Sequence, residues 1–284
     1  YSGKFADRTY GMRIFDSQKR TNALQFFLQS LREMYTYRFA LVNFISSTLS
    51  ARYRRSFFGF LWSLLNPLLT MLIMGVVFST LFRQPFSEFS LYLFSGLLPW
   101  NMVSSSLLIG GSSIVTAEGY LKKIYSPKVM YPIAAVGVEV VNFVFSLFGL
   151  FILALLWGAK LSWALFLLPL ALILLALFIL GLVFTLSIAV VYFRDLTHII
   201  QILLMGLFYL TPIMYPIDFL SGLLLTLIKF NPFYYFIQLF HTIIFQHSVP
   251  DLSNWLICFL LGFLSFVAGV FVFAAKDKDV IYRL

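Results

Sequence analysis

Long apolar runs, interrupted by short polar or basic stretches, set the pattern of this chain from residue 57 onward. A run of roughly 20 apolar residues matches the thickness of a bilayer core. Six spans are predicted on that basis, at residues 57–82 (with Pro67 in the first half), about 91–115, 133–157, 163–192, about 196–214 and 255–275. The region before them reads differently. Residues 1–21 are polar, and between Asn22 and Tyr37 the apolar residues Leu24, Phe27, Leu28, Leu31 and Met34 recur at helical spacing. The next run, 39–45, is too short to cross a bilayer. Together these residues predict an amphipathic segment lying in the interface, anchored by Arg38, Arg52, Arg54 and Arg55. The expected architecture is all-α integral membrane, with a cytoplasmic tail and interfacial helix over 1–56 and a six-span domain over 57–284.

The apolar stretch between spans five and six is broken. Segments 220–230 and 233–245 are each short and are separated by Asn231-Pro232. A turn there predicts a re-entrant helical hairpin over about 217–250, whose non-helical bend survives at membrane depth only when shielded by protein or facing water. The alternative is one span broken by proline, which would put the two chain ends on opposite sides. Charge separates these readings. With six spans, the tail, the 116–132 loop, the 193–196 loop and the C-terminal end share one side. That side carries all the Lys and Arg except Arg83, Lys160 and Lys229. The asymmetry predicts that both ends are cytoplasmic.

Composition agrees with the pattern: 61% of residues are apolar and 11% charged, with a mean hydropathy of +0.93, far from a water-soluble domain. A net charge of +9 could point to nucleic acid, but half of the basic residues precede residue 57 and no recognition-helix or zinc-ligand pattern accompanies them. They read instead as a membrane-surface and topology signal. Cys258, the only cysteine, sits in an apolar run as a packed small residue. The opening residues lack an early apolar core, so no cleavable signal peptide is expected there.

Candidate chemistry is sparse. No G-x-x-x-x-G-K-[ST] loop occurs, so no phosphate cradle of that type is expected. No metal-ligand spacing is present, and His198, His241 and His247 are not set directly beside a carboxylate. The chain is therefore expected to be neither an enzyme nor a cofactor carrier. Glu139 is the one acid well inside a span, and Asn142 and Ser146 share its helix face. The choice is between a pathway or proton-coupled group and a helix-packing hydrogen bond with the acid protonated; packing is favoured. The 117–127 loop predicts a short helix stopped at Pro127, with Leu121, Ile124 and Tyr125 along one face. That makes it either a plain surface loop or a knob for a soluble partner. Trp62, Trp100, Trp157 and Trp255 fall where interfacial belts are expected. Tyr209, Tyr215, Tyr234, Tyr235 and Phe236 cluster around the fifth span and the hairpin, suiting sugar rings and a belt equally well.

Several pieces carry a resemblance when taken in order. They are Ala51-Arg52-Tyr53-Arg54-Arg55-Ser56-Phe57-Phe58-Gly59-Phe60-Leu61-Trp62 running on to Asn66-Pro67, Gly96-Leu97-Leu98-Pro99-Trp100 with the 117–127 loop, Tyr192-Phe193-Arg194-Asp195-Leu196, Thr211-Pro212-Ile213-Met214-Tyr215-Pro216, and Asn231-Pro232. Over about residues 30–284 the chain resembles the permease subunits of type-2 ABC exporters for bacterial polysaccharides, those of O-antigen, capsule and teichoic acid. It departs from them at Ala117, where the family often has asparagine, and at Ser126, where it has an aromatic.

The resemblance implies a homodimer in the bacterial cytoplasmic (inner) membrane, bound to two copies of a separate ATPase subunit that holds ATP and Mg. Glu118, Tyr120, Leu121, Lys122, Lys123, Tyr125 and Pro127 would couple to that ATPase. The hairpin would gate the outer face. Phe58, Trp62, Tyr209, Tyr215, Tyr234, Tyr235 and Phe236 would line the route of a lipid-linked glycan. The rival readings are a small-molecule or drug exporter permease, a membrane enzyme acting on a lipid-linked sugar, and a passive channel.

Overall fold

A computed structural model describes residues 32–54, 56–123, 126–158, 162–217 and 220–284, and these form helices and the turns between them. The elements are α1 Arg38–Tyr53, α2 Trp62–Phe82, α3 Phe86–Gly111, α4 Ser113–Thr116, α5 Glu118–Leu121, α6 Met130–Leu156, α7 Leu168–Tyr192, α8 Leu196–Leu210, α9 Gly222–Phe230, α10 Pro232–Phe240 and α11 Leu252–Arg283. Short 3-10 turns at Gly59–Leu61 and Trp163–Leu167 lead into α2 and α7, and a π turn, His241–Phe245, ends α10.

Among the described residues five helices are long and apolar enough to cross a membrane, namely α2, α3, α6, α7 with its lead-in, and α11; the bent pair α9–α10 makes a sixth if it counts as one span. The expected fifth span falls short. Helix α8 has 15 residues, about 22 Å at the α-helical rise, against a hydrocarbon core of about 30 Å. The sequence run continues through Ile213 and Met214, but Pro212 disfavours helical backbone at the residue before it. Thr211 is accordingly extended (φ −97°, ψ 131°). Apolar content carries on past Leu210 while the helix does not.

The α7–α11 pair forms the central seam. The two helices run in the same direction: Gly262 meets the backbone of Leu174 and Phe178, Gly181 meets Ser265 and Gly269, and Phe184 meets Phe273 edge-on at 5.5 Å. A Cβ on Gly181 or Gly269 would fall on the other helix's backbone, so the glycines are what permits the contact. Because α7 and α11 are co-directional, residues 193–251 begin at one end of the molecule and finish at the other.

The end shared by Tyr192 and Arg283 is basic. The Arg283 guanidinium lies 4.3 Å from the Tyr192 ring centroid, and Lys128 pairs with Asp277 at 3.1 Å. A small apolar cluster (Ile114, Val129, Ile188, Val191, Val280) fills the space beneath. The main core lies towards the other end and is built from α3, α6, α7 and α10. Trp100 belongs to it: the ring is buried against Phe208 and Phe233, at 5.9 and 5.8 Å. This corrects its expected place in an interfacial belt, because it sits in the middle of α3 with protein on every side. Helix α2 buries only a stripe of Ser63, Met71, Gly75 and Ser79, with Leu68, Met74, Phe78 and Phe82 packed part-buried against the core beside it. Helix α1 lies on the first turns of α6, with Phe44 edge-on to Tyr131 at 5.4 Å and Ile45 against Gly137.

Candidate functional site

The 117–127 loop contains a single helical turn, α5, which ends at Leu121, ahead of the stop expected at Pro127. Gly119 in its first turn is a poor helix former, and Lys122 and Lys123 follow as a turn. Glu118 accepts a hydrogen bond from Lys122 Nζ at 2.6 Å and faces Arg194 at 3.6 Å. The Lys122 ammonium, by hydrogen bond and then by charge, holds the Glu118 carboxyl below its usual range. Lys122 also donates to the Leu284 carbonyl at 3.0 Å. Leu121 turns inward against the small cluster at the basic end and against a second one of Ala117, Met130 and Tyr131, Pro127 is buried, and Tyr120 and Lys123 face out. Tyr125, with Ile124, lies outside the described residues. One acid thus ties α5 to its own next turn and to the loop that opens α8.

The arginines expected as headgroup anchors divide. Arg54 is exposed, and Arg55 lies outside the described residues. Arg52 reaches back into the protein, where its Nη2 donates to Glu139 Oε1 at 2.8 Å. Glu139 is 5% exposed, and its Oε2 accepts from Asn142 Nδ2 at 3.1 Å. A buried carboxylate is costly unless paired and hydrogen-bonded, and here it has both kinds of partner. Ser146, on the same face, donates instead to the Ser63 carbonyl of α2 at 3.1 Å. Nothing in the sequence links Arg52 to Glu139 across 87 positions, so the ion pair was visible only once α1 lay on α6.

The expected path aromatics also divide. Phe57, Phe58 and Trp62 form an exposed ladder with successive edge-to-face contacts of 5.0 and 5.6 Å. Tyr209 is exposed on α8, while Tyr215 and Tyr235 are part-buried. Phe236 is fully enclosed, stacked on Phe178 at 4.8 Å. Tyr234 is buried too, its ring beside that of Tyr235. Within one chain these seven residues do not make a continuous surface.

Sequence reasoning missed a polar cluster around His241. Its Nδ1 lies 2.7 Å from Ser95 Oγ, its Nε2 lies 3.3 Å from the Pro212 carbonyl, and its ring stacks on Tyr92 with centroids 4.3 Å apart. Gly96 makes room, because a Cβ there would sit 2.7 Å from Nε2. A Ser–His pair invites the enzyme reading. The geometry argues against it: Ser95 is fully buried, and the second imidazole nitrogen faces a backbone carbonyl where a triad would place a carboxylate. The available signal was a histidine in an apolar run that also contains Asn231-Pro232. Among the described residues no group of three or more His, Cys, Asp or Glu could hold a metal ion.

Comparison with known proteins adds an independent line. The chain is 35% identical to the O-antigen export system permease protein RfbA of Myxococcus xanthus over 229 residues, covering 79% of this chain and 87% of that protein. It is 29% identical over 235 residues to a protein of the same name from Klebsiella pneumoniae, covering 82% of this chain and 90% of that protein. The family model described as ABC-2 type transporter matches residues 41–245, from within α1 through the bent α9–α10 pair. With its several apolar membrane-length helices and this match over most of its length, the chain belongs to the ABC-2 type transporter family.

Proposed function

We propose that this chain is the membrane subunit of an exporter that moves a lipid-linked polysaccharide across the bacterial cytoplasmic membrane, acting as a homodimer on two copies of a separate ATP-binding subunit. The observation that carries the reading is the 35% identity to an O-antigen export permease over 79% of the chain. The absence of a phosphate-cradling motif in the full sequence agrees with hydrolysis on a partner. The basic end would be cytoplasmic by its excess of Lys and Arg. The exposed Tyr120 and Lys123 on the α5 turn suit a docking knob for the ATPase, with Glu118, Lys122 and Pro127 setting its shape.

In this reading α9–α10 is a re-entrant hairpin. Three features support it: the 86° bend between the two helices, the position of Phe233 beside Trp100 and Phe178 in the middle of α3 and α7, and the shared direction of α7 and α11. Phe58, Trp62, Tyr209, Tyr215 and Tyr235 would offer ring faces to the sugar chain, and the enclosed Phe236 and Tyr234 would support them from behind. A small closed cavity in place of a wide aromatic channel would favour a drug exporter of the same family.

The test is complementation. A bacterial strain lacking its O-antigen export permease is given this chain together with the ATP-binding subunit encoded beside it. Surface glycan and internal lipid-linked glycan are then measured. Restored surface glycan supports the reading; continued internal accumulation with both subunits present overturns it.

A further inference from the structure

Helix α8 is held at its two ends more than along its length. Its outward face, Ile199, Ile202, Leu203, Met205 and Tyr209, is exposed. At the basic end the loop before it meets α5 through Arg194 and Glu118. At the far end the turn Thr211–Tyr215 is buried except for Tyr215, which is part-buried. That turn is gripped by side chains from two other elements. Asn231 Nδ2 donates to Thr211 Oγ1 at 2.8 Å, while Asn231 Oδ1 accepts from the Phe233 N–H at 3.0 Å and so caps α10. Thr211 uses its own proton on the Leu207 carbonyl at 2.7 Å. Tyr92 of α3 donates to the Tyr215 carbonyl at 2.9 Å, and the His241 ring stacked on Tyr92 reaches Pro212.

The protons around His241 fix the joint further. If Nδ1 carried the proton, Nε2 would present a lone pair to the Pro212 carbonyl, two acceptors facing each other. With the proton on Nε2, the imidazole donates to Pro212 and Nδ1 accepts from the Ser95 hydroxyl. Both ring contacts are then met by a neutral imidazole, while the Tyr92 carbonyl, 2.7 Å from Ser95 Oγ, gives up the serine proton to Nδ1. No carboxylate or ammonium is involved in these bonds, so they are neutral hydrogen bonds in a buried setting, where an unmade partner is costly.

We propose that this neutral cluster is the far joint of α8, and that through it Thr211, Asn231 and His241 act as positioning residues that make the α9–α10 hairpin follow α8. Helix α8 is then a strut running from the α5 turn at one end to the hairpin at the other. The proposal rests on the export reading above and adds the mechanical link that reading lacks.

The test separates coupling from folding. The chain and its ATP-binding subunit are placed in proteoliposomes with lipid-linked glycan extracted from the source cells, and both ATP hydrolysed and glycan translocated are measured per assembled complex. Thr211→Val keeps the shape of the side chain and removes both hydrogen bonds; Ser95→Ala frees Nδ1 of His241. Each is expected to lower glycan moved per ATP at least about fivefold, the low end of ordinary site-to-site coupling, with ATP hydrolysis kept within about twofold. Thr211→Ser, which keeps the hydroxyl, is expected to behave as wild type. Equal loss of hydrolysis and translocation in both variants, or no loss in either, overturns the joint. If Thr211→Val fails to assemble, Ser95→Ala alone decides the outcome. Wild-type complexes that hydrolyse ATP and move no glycan would instead defeat the export reading itself.

Discussion

Helices α2 and α3 are neighbours in sequence and packed together, yet hydropathy and burial rank them in opposite orders. α2 is the more apolar, but little of it is buried; α3 is the less apolar, and most of it is buried. In water that order would be perverse. In a membrane it follows from the solvent, because lipid is as apolar as a protein core and apolar content alone drives no helix inward. What drives α3 inward is what lipid cannot satisfy. Ser95 meets His241, Tyr92 reaches two backbone carbonyls, and Gly96 and Gly110 admit side chains from other elements. Helix α2 offers Leu72, Ile73, Val76 and Val77 outward and keeps its small residues for one narrow stripe. Burial here tracks small and polar positions.

The largest effect should come where two buried backbones touch. Gly181→Leu or Gly269→Leu would push a side chain into the facing helix backbone, which cannot turn aside as a rotamer can. The cost should exceed the roughly 3 kcal/mol usual for overpacking. The expected outcome is loss of folded protein from the membrane fraction on immunoblot. Normal abundance of either variant would break the rule drawn from α3. The second effect lies in the Arg52–Glu139 pair. Removing one partner of a buried pair strands the other charge, at about 3 kcal/mol. Arg52→Ala should therefore lower the melting temperature in detergent clearly, while the double variant Arg52→Met/Glu139→Leu should recover much of the loss. No recovery in the double variant would mean that the pair is not what holds α1 on α6.

The same rule sets how much of the fold is legible in the sequence. The five long spans and the break at Asn231-Pro232 could be read because run length and proline report backbone directly. Helix α8 ends four residues before its apolar run does, because Ile213 and Met214 are apolar but sit in a buried turn, and apolar content does not distinguish the two. The belt reading of Trp100 fails for the same reason: nothing local says whether an aromatic faces headgroups or protein. The His241 cluster was invisible because its members, Tyr92, Ser95, Thr211, Pro212, Asn231 and His241, come from three separate stretches and only the fold brings them together. Glu139 was recognisable as a group needing a partner, and its partner was not.

A third, smaller effect sharpens the comparison on the α2 side. Ile73 is exposed, so Ile73→Ala should change the stability of the single chain by no more than about 0.5 kcal/mol. If α2 instead forms part of the proposed homodimer seam, the same substitution should shift the complex towards monomer on size-exclusion chromatography while the chain stays folded. A large loss of folded chain would put α2 in the same class as α3.

The smallest effect belongs to the α5 turn, where the charges face solvent. Glu118 has its carboxyl held below its ordinary value of 4.5, first by the Lys122 hydrogen bond. A depressed acid contributes stability above its unfolded value and loses it as pH falls through the folded one. The difference in melting temperature between wild type and Glu118→Gln should therefore be flat from neutral pH down to about pH 5, then shrink towards zero below about pH 4. At any pH it should shrink in high salt, because exposed pairs are screened. The buried joint at the other end of α8 is made of neutral hydrogen bonds, so the effect of Thr211→Val should hardly respond to salt. A salt response in Thr211→Val, or its absence in Glu118→Gln, would mean that the two ends of the strut are not held by the different forces their geometry indicates.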